Sequence, residues 1–131
     1  MPMEISFLCA KHADWVYSHP LEAVNFLARD EFQGTTLFYD GEYRECLPYL
    51  GCAFDITAIL LEVDEGQNPL FIEKAFALSS LICDAYKALG LLEYQTAMQR
   101  RVADLVIALS YQQSAAVQSR HAVFEVSTSK H

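Results

Sequence analysis

Gly34-Thr35-Thr36-Leu37-Phe38-Tyr39-Asp40-Gly41-Glu42-Tyr43-Arg44-Glu45-Cys46-Leu47-Pro48-Tyr49-Leu50-Gly51-Cys52-Ala53 reads as the end of one helix, a tight corner and the start of the next. Asp40-Gly41 is a turn dipeptide and stops the first helix. Gly34 lies inside that helix, where glycine costs about 1 kcal/mol relative to alanine. A glycine there predicts a second helix packed close against it. Phe38, Tyr39 and Tyr43 flank the corner with aromatic surface.

Working outward, the preceding helix spans about 20–39, with Pro20 at its first position and Glu22 in its first turn. Its expected apolar stripe is Leu21, Val24, Leu27 or Ala28, Gly34 and Leu37 or Phe38, interrupted by Glu31. The following helix lies within 42–63. Pro48 favours a start near Glu45, because a proline in the first turn removes no intrahelical hydrogen bond. Beyond it Leu50, Ala53, Phe54, Ile56, Ile59, Leu60, Leu61 and Val63 are apolar nearly all round. Only Arg44, Pro48, Gly51, Asp55, Ala58 and Glu62 form a stripe that reads as wet. Such a helix is central, or a partner covers it.

Asp64-Glu65-Gly66-Gln67-Asn68-Pro69 is a loop in which Asn68 caps and Pro69 opens a fourth helix over about 69–89. That helix buries Phe71, Ala75, Phe76, Leu78, Leu81, Ile82, Ala85 and Tyr86, and turns Glu73, Ala77, Ser80, Asp84 and Lys87 outward. Gly90 ends it. Met98, Val102, Leu105, Val106 and Leu109 set the face of a fifth helix over about 92–117, with Arg101 and Asp104 outward. At the other end, Leu8, His12 and Trp15 space a helix within 3–17. The fold class is therefore all-α, with about five antiparallel helices. Residues 1–118 form a single helical domain, and 119–131 a C-terminal tail, poorly ordered or loosely docked.

The chain has 131 residues, 53% of them hydrophobic and 20% charged. That suits one domain with a real core and excludes disorder. No apolar run is expected to reach the ~18 residues of a membrane span, since Asp55, Glu62, Asp64 and Glu65 interrupt the longest. The N-terminus lacks a basic then apolar leader, so a cytoplasmic protein is expected. Cys9, Cys46, Cys52 and Cys83 read as reduced thiols acting as small core residues. The net charge is −8, and residues 1–73 hold 13 acids against 3 bases. Acidity on that scale excludes nucleic acid, which needs clustered Lys and Arg, and favours a basic peptide or partner.

The spacing from Gly34 to Ala53 resembles a tetratricopeptide repeat, a 34-residue helix–turn–helix unit. Gly34 lies three before Leu37, Gly41 sits at the corner, Tyr43 follows, and Cys46, Leu50 and Ala53 complete the small–large alternation. The match covers about 27–60. A weaker copy over about 76–109 sets Cys83, Tyr86 and Gly90 where Gly34, Leu37 and Gly41 fell. Asp30, Gln33 and Ala58 depart from the family pattern. The resemblance implies a right-handed helix-pair stack, with a plain helical bundle as the alternative. It also implies a peptide groove lined by the first helix of each pair. Carried over by position, that groove offers Glu31, Thr35, Phe38 and Tyr39, then Ser80, Asp84 and Lys87.

No nucleophile elbow, phosphate loop or dinucleotide glycine motif is present. His12, His19, His121 and His131 form no metal-binding spacing, so no catalytic residue, metal or cofactor is expected. The leading function is a non-catalytic protein–protein interaction module, with a homodimer expected. One alternative is a small acidic assembly or secretion chaperone. Another is a small enzyme or ligand-binding bundle that uses Asp84, Tyr86 and Arg100 in an internal pocket.

Overall fold

A computed structural model describes residues 4–129, with side-chain surroundings for 4–115. The protein is all-α. Its helices are α1 (Ala10–Ser18), α2 (Pro20–Tyr39), α3 (Tyr43–Val63), α4 (Pro69–Ala88) and α5 (Leu92–Ser129).

The corners follow from local chemistry. Gly41 and Gly90 adopt φ of 79° and 72°, a left-handed backbone that side chains disfavour. At each, the next N–H closes the helix end: Glu42 donates to the Leu37 carbonyl and Leu91 to the Tyr86 carbonyl, both at 2.9 Å. The α2–α3 and α4–α5 corners are thus built alike. Between them, Asp64 Oδ1 accepts the Gly66 N–H at 3.0 Å. Asn68 Oδ1 then caps α4 by accepting the Leu70 N–H at 2.9 Å.

Alternate helices run in the same direction. Phe7 and Leu8 meet Asp55, and further along Tyr17 meets Glu62, so α1 advances with α3. Asp55 meets Arg101, and Gly66 lies against Leu109 and Gln112, so α5 advances with α3 as well. The tight corners send α2 and α4 back. These two pack together and are joined by Lys74 Nζ to Glu31 at 2.6 Å. Helix α3 is therefore flanked by α1 and α5 and backed by α2 and α4.

That position explains its burial. Leu50, Ala53, Phe54, Leu60 and Leu61 are all at most 4% exposed, packed with Leu27 of α2, Leu78 and Ile82 of α4 and Met98 of α5. Each of the large side chains among them contributes about 1.5–3 kcal/mol. Thr57 enters this core because its hydroxyl donates to the Ala53 carbonyl at 2.8 Å. Contrary to the sequence expectation, α3 is long and apolar enough to cross a membrane, but 67% of that stretch is buried inside the bundle.

The close approach predicted at Gly34 is present. A Cβ there would lie 2.8 Å from Leu50 Cγ and 2.9 Å from the Leu50 backbone nitrogen. Cys46 and Ala53, the other small positions, are fully buried. This contact fixes the rotation of α2, and it corrects the expected stripe. The buried line is Ala23, Leu27 and Gly34, while Leu21 is 87% exposed.

Other expectations are corrected by the same packing. Helix α3 begins at Tyr43, so Pro48 is interior. Arg44 and Pro48 are both exposed, and water can serve the Arg44 carbonyl that Pro48 cannot. Gly51 and Asp55 are buried, not wet. The reason is the segment 4–9, which is not helical as expected but lies across α3. Its Phe7 ring occupies the space a Gly51 side chain would need. Phe76 is 37% exposed, and Arg101 turns inward to Asp55. Cys9 is exposed; all four cysteines are free thiols. The backbone of α5 stays helical through Ser129, past the expected end near Val117. Residues 130–131 lie outside the described residues.

Two substitutions test this architecture. Gly34→Leu overpacks the α2–α3 contact and lowers unfolding free energy by about 1–3 kcal/mol in urea titration. Unchanged stability would remove the close contact. Asp55→Asn keeps the shape but removes the charge that holds Arg101. A loss of about 2–4 kcal/mol is expected, below that of a fully buried pair because Arg101 retains water contact.

Candidate functional site

The residues predicted from sequence fall on two surfaces. On α2, Glu31 is half-buried and engaged by Lys74. The Thr35 hydroxyl donates back to the Glu31 carbonyl at 2.5 Å. Phe38 is half-buried, edge-on to Tyr39 at 5.2 Å and to Tyr43 at 5.4 Å between centroids. Tyr39 is 73% exposed. On α4, Ser80, Asp84 and Lys87 are exposed along one side. Among the described residues, no hydrogen bond or ion pair joins that trio to the α2 set. Asp84 and Arg100 are both exposed, and Tyr86 is buried against Tyr94, so these three line no common enclosure.

A more developed site lies elsewhere. Between α1, α2 and α3 runs a half-open cleft of about 640 Å³. Leu8, His12, Trp15 and Val16 line it from the α1 side. From α2 come Phe26, Arg29 and Asp30, and from α3 Pro48, Tyr49, Cys52 and Ile56. Each set recurs at three- and four-residue spacing, so each helix presents one face. The space exists because α1 is short and joins α2 through His19 alone. It packs along α3 and leaves α2. Tyr17 pins that course by donating its hydroxyl proton to Glu62 at 2.6 Å.

The cleft walls are mostly aromatic and aliphatic. Trp15 stacks on His19 at 5.0 Å and meets Phe26 edge-on at 5.3 Å. The Arg29 guanidinium lies 4.7 Å from the Phe26 centroid. One carboxylate, Asp30, is set into this wall with its side chain 14% exposed. Its ion-pair partner is Arg29 Nε at 3.8 Å, beyond hydrogen-bonding range. Burial pushes the Asp30 carboxyl above its ordinary range, with Arg29 opposing. Burial also pushes the Cys52 thiol up, helped by the charges of Asp30 and Asp55. Cys52 is thus a protonated wall residue rather than a ready nucleophile.

The chain matches no known protein family, curated protein or solved structure. The cleft stands on its own geometry. Sequence reading missed Trp15, Phe26, Asp30, Tyr49, Cys52 and Ile56 as site residues, because each stripe looks like ordinary core. One signal was available. Asp30 lies four residues after Phe26, so a carboxylate shares a helix face with an aromatic.

Alkaline titration tests the α1 wall. Its hydrogen bond to Glu62, then burial, raise the Tyr17 phenol from 10.0 to about 12. The folded state therefore favours the protonated phenol. That contribution is full below pH 10 and is lost as pH rises from 10 to 12. Burial raises Tyr86 similarly, to about 12, with the same sign. Urea titrations across this window are expected to show a steeper loss in the native chain than in Tyr17→Phe.

Proposed function

We propose that this chain is a non-catalytic protein-interaction module that holds a peptide or helix of a partner protein against α2. The observation that carries this reading is the apolar, half-open cleft whose walls converge from three helices. A concave site with few polar groups is the general form of a recognition pocket. The two like-built glycine corners, and alternate helices running parallel, support a tetratricopeptide-like stack of helix pairs. Helix α2 serves two surfaces in this reading. Phe26 and Asp30 face the cleft, while Thr35 and Tyr39 lie outside it, as do the exposed α4 residues Ser80, Asp84 and Lys87.

Calorimetric titration against a panel of amphipathic helical peptides of varied charge tests the reading. At least one peptide is expected to bind at about micromolar Kd. Cys52→Phe fills the cleft and is expected to weaken that binding at least about tenfold. Absence of binding by every peptide would sink the proposal.

A second reading concerns self-association. Val106, Ile107 and Tyr111 are 43%, 55% and 74% exposed on neighbouring turns of α5, around a shallow depression. Apolar side chains clustered so on an open helix face fit a second copy of the chain. Light scattering is expected to give about twice the 14.8 kDa chain mass, reverting to one on Ile107→Lys. A clean monomer at high concentration would remove the dimer.

A further inference from the structure

Resting on the peptide-binding reading, we infer that the occupant of the α1–α3 cleft is a basic amphipathic segment of a partner protein. An apolar side chain of that segment fills the space against Trp15, Phe26 and Ile56. A neighbouring Lys or Arg displaces Arg29 from Asp30. Charge complementarity argues for a cation. The Asp30 carboxylate is withdrawn into an apolar wall, yet its ion-pair partner reaches only 3.8 Å from a side chain that is 69% exposed. A carboxylate that is largely withdrawn from water and so weakly compensated is less favourable in the free protein than a fully hydrated one. An incoming cation with direct hydrogen bonds recovers that cost.

The molecule itself illustrates the seat. Arg29 places a guanidinium beside Asp30 and over the Phe26 face, showing that a planar cation fits between carboxylate and ring. Because Arg29 is the chain's own cation there, it competes with the partner's. The wider surface agrees in sign, since residues 1–73, which supply the whole cleft, carry 13 acids against 3 bases. His12, Arg29 and Tyr49 are the other titratable groups that line the cleft beside Asp30 and Cys52.

Trp15 is the chain's single tryptophan and lines the cleft, so its fluorescence reports occupancy. The full chain is titrated with a tryptophan-free helical peptide bearing Leu and Phe on one face and Lys elsewhere. A second peptide has Glu for every Lys. The Lys peptide is expected to change Trp15 emission and to bind about tenfold or more tightly than the Glu peptide, with affinity falling as salt rises. Asp30→Asn is expected to abolish that preference. Arg29→Ala, which removes the internal competitor, is expected to tighten binding of the Lys peptide several-fold. A purely structural role for either residue predicts no such opposition. Equal binding of both peptides, or an unchanged preference in Asp30→Asn, overturns the assignment of a basic occupant and leaves the peptide-binding reading standing. Failure of both peptides, together with the wider panel, overturns that reading as well.

Discussion

The carboxylate of Asp55 holds three parts of this molecule in register. One oxygen accepts the backbone N–H groups of Phe7 and Leu8 at 2.6 and 2.8 Å, and the other meets Arg101 of α5. A charge 5% exposed in the central helix is tolerable only because those partners satisfy it. Each also gains. Two N–H groups of a non-helical segment find an acceptor, and the Arg101 guanidinium lies over the Phe54 ring at 4.6 Å. The interaction therefore couples the N-terminal strip, α3 and α5, and its all-or-none character gives a single register. It also decides what covers Gly51, since the bonded strip lays the Phe7 ring there.

Beside this polar hub, the helix pairs are set by close backbone approach. Gly34 lets α2 reach the backbone of α3 at Leu50, and Gly41 turns the chain so that contact can form. The α4–α5 corner repeats the glycine and its hydrogen bond without repeating the close glycine contact. The second pair is consequently less tightly joined. Glu31 of α2 and Lys74 of α4 link the two pairs by an ion pair, as Asp55 of α3 and Arg101 of α5 do.

The cleft is a by-product of these constraints. Asp55 and Glu62 draw the α1 region along α3, and Gly34 draws α2 against the other side. What remains between them is lined by whatever the three helices present. Asp30 is the residue that local packing does not explain, since a large apolar side chain would fill that wall. A carboxylate set into an apolar wall with one distant ion-pair partner is the kind of departure from local packing that function accounts for. The proposal of a basic partner segment is built on that departure.

Much of the architecture was legible in sequence because it is local. Asp40-Gly41, Asn68-Pro69 and Gly90 act through backbone geometry within a few residues, so the corners and most helix bounds could be read directly. Gly34, too, announced its contact, since nothing else justifies glycine inside a helix. The functional surface was less legible. The positions of Glu31, Thr35, Phe38, Tyr39, Ser80, Asp84 and Lys87 came from a repeat register, and that register does not report where space is left unfilled. The start of α3 was misplaced because the rule against interior proline is local, and the packing of α3 among four neighbours outweighs it. The burial of Gly51 and Asp55 depended on a segment more than forty residues distant that no periodicity connects to them. Sequence alone determined the number of helices, their corners and the close contact at Gly34, because those obey short-range rules. Tertiary structure alone decided which faces are covered, why Asp55 is buried with partners, and where a cleft with one poorly compensated carboxylate opens. Each of these depends on side chains brought together from far along the chain.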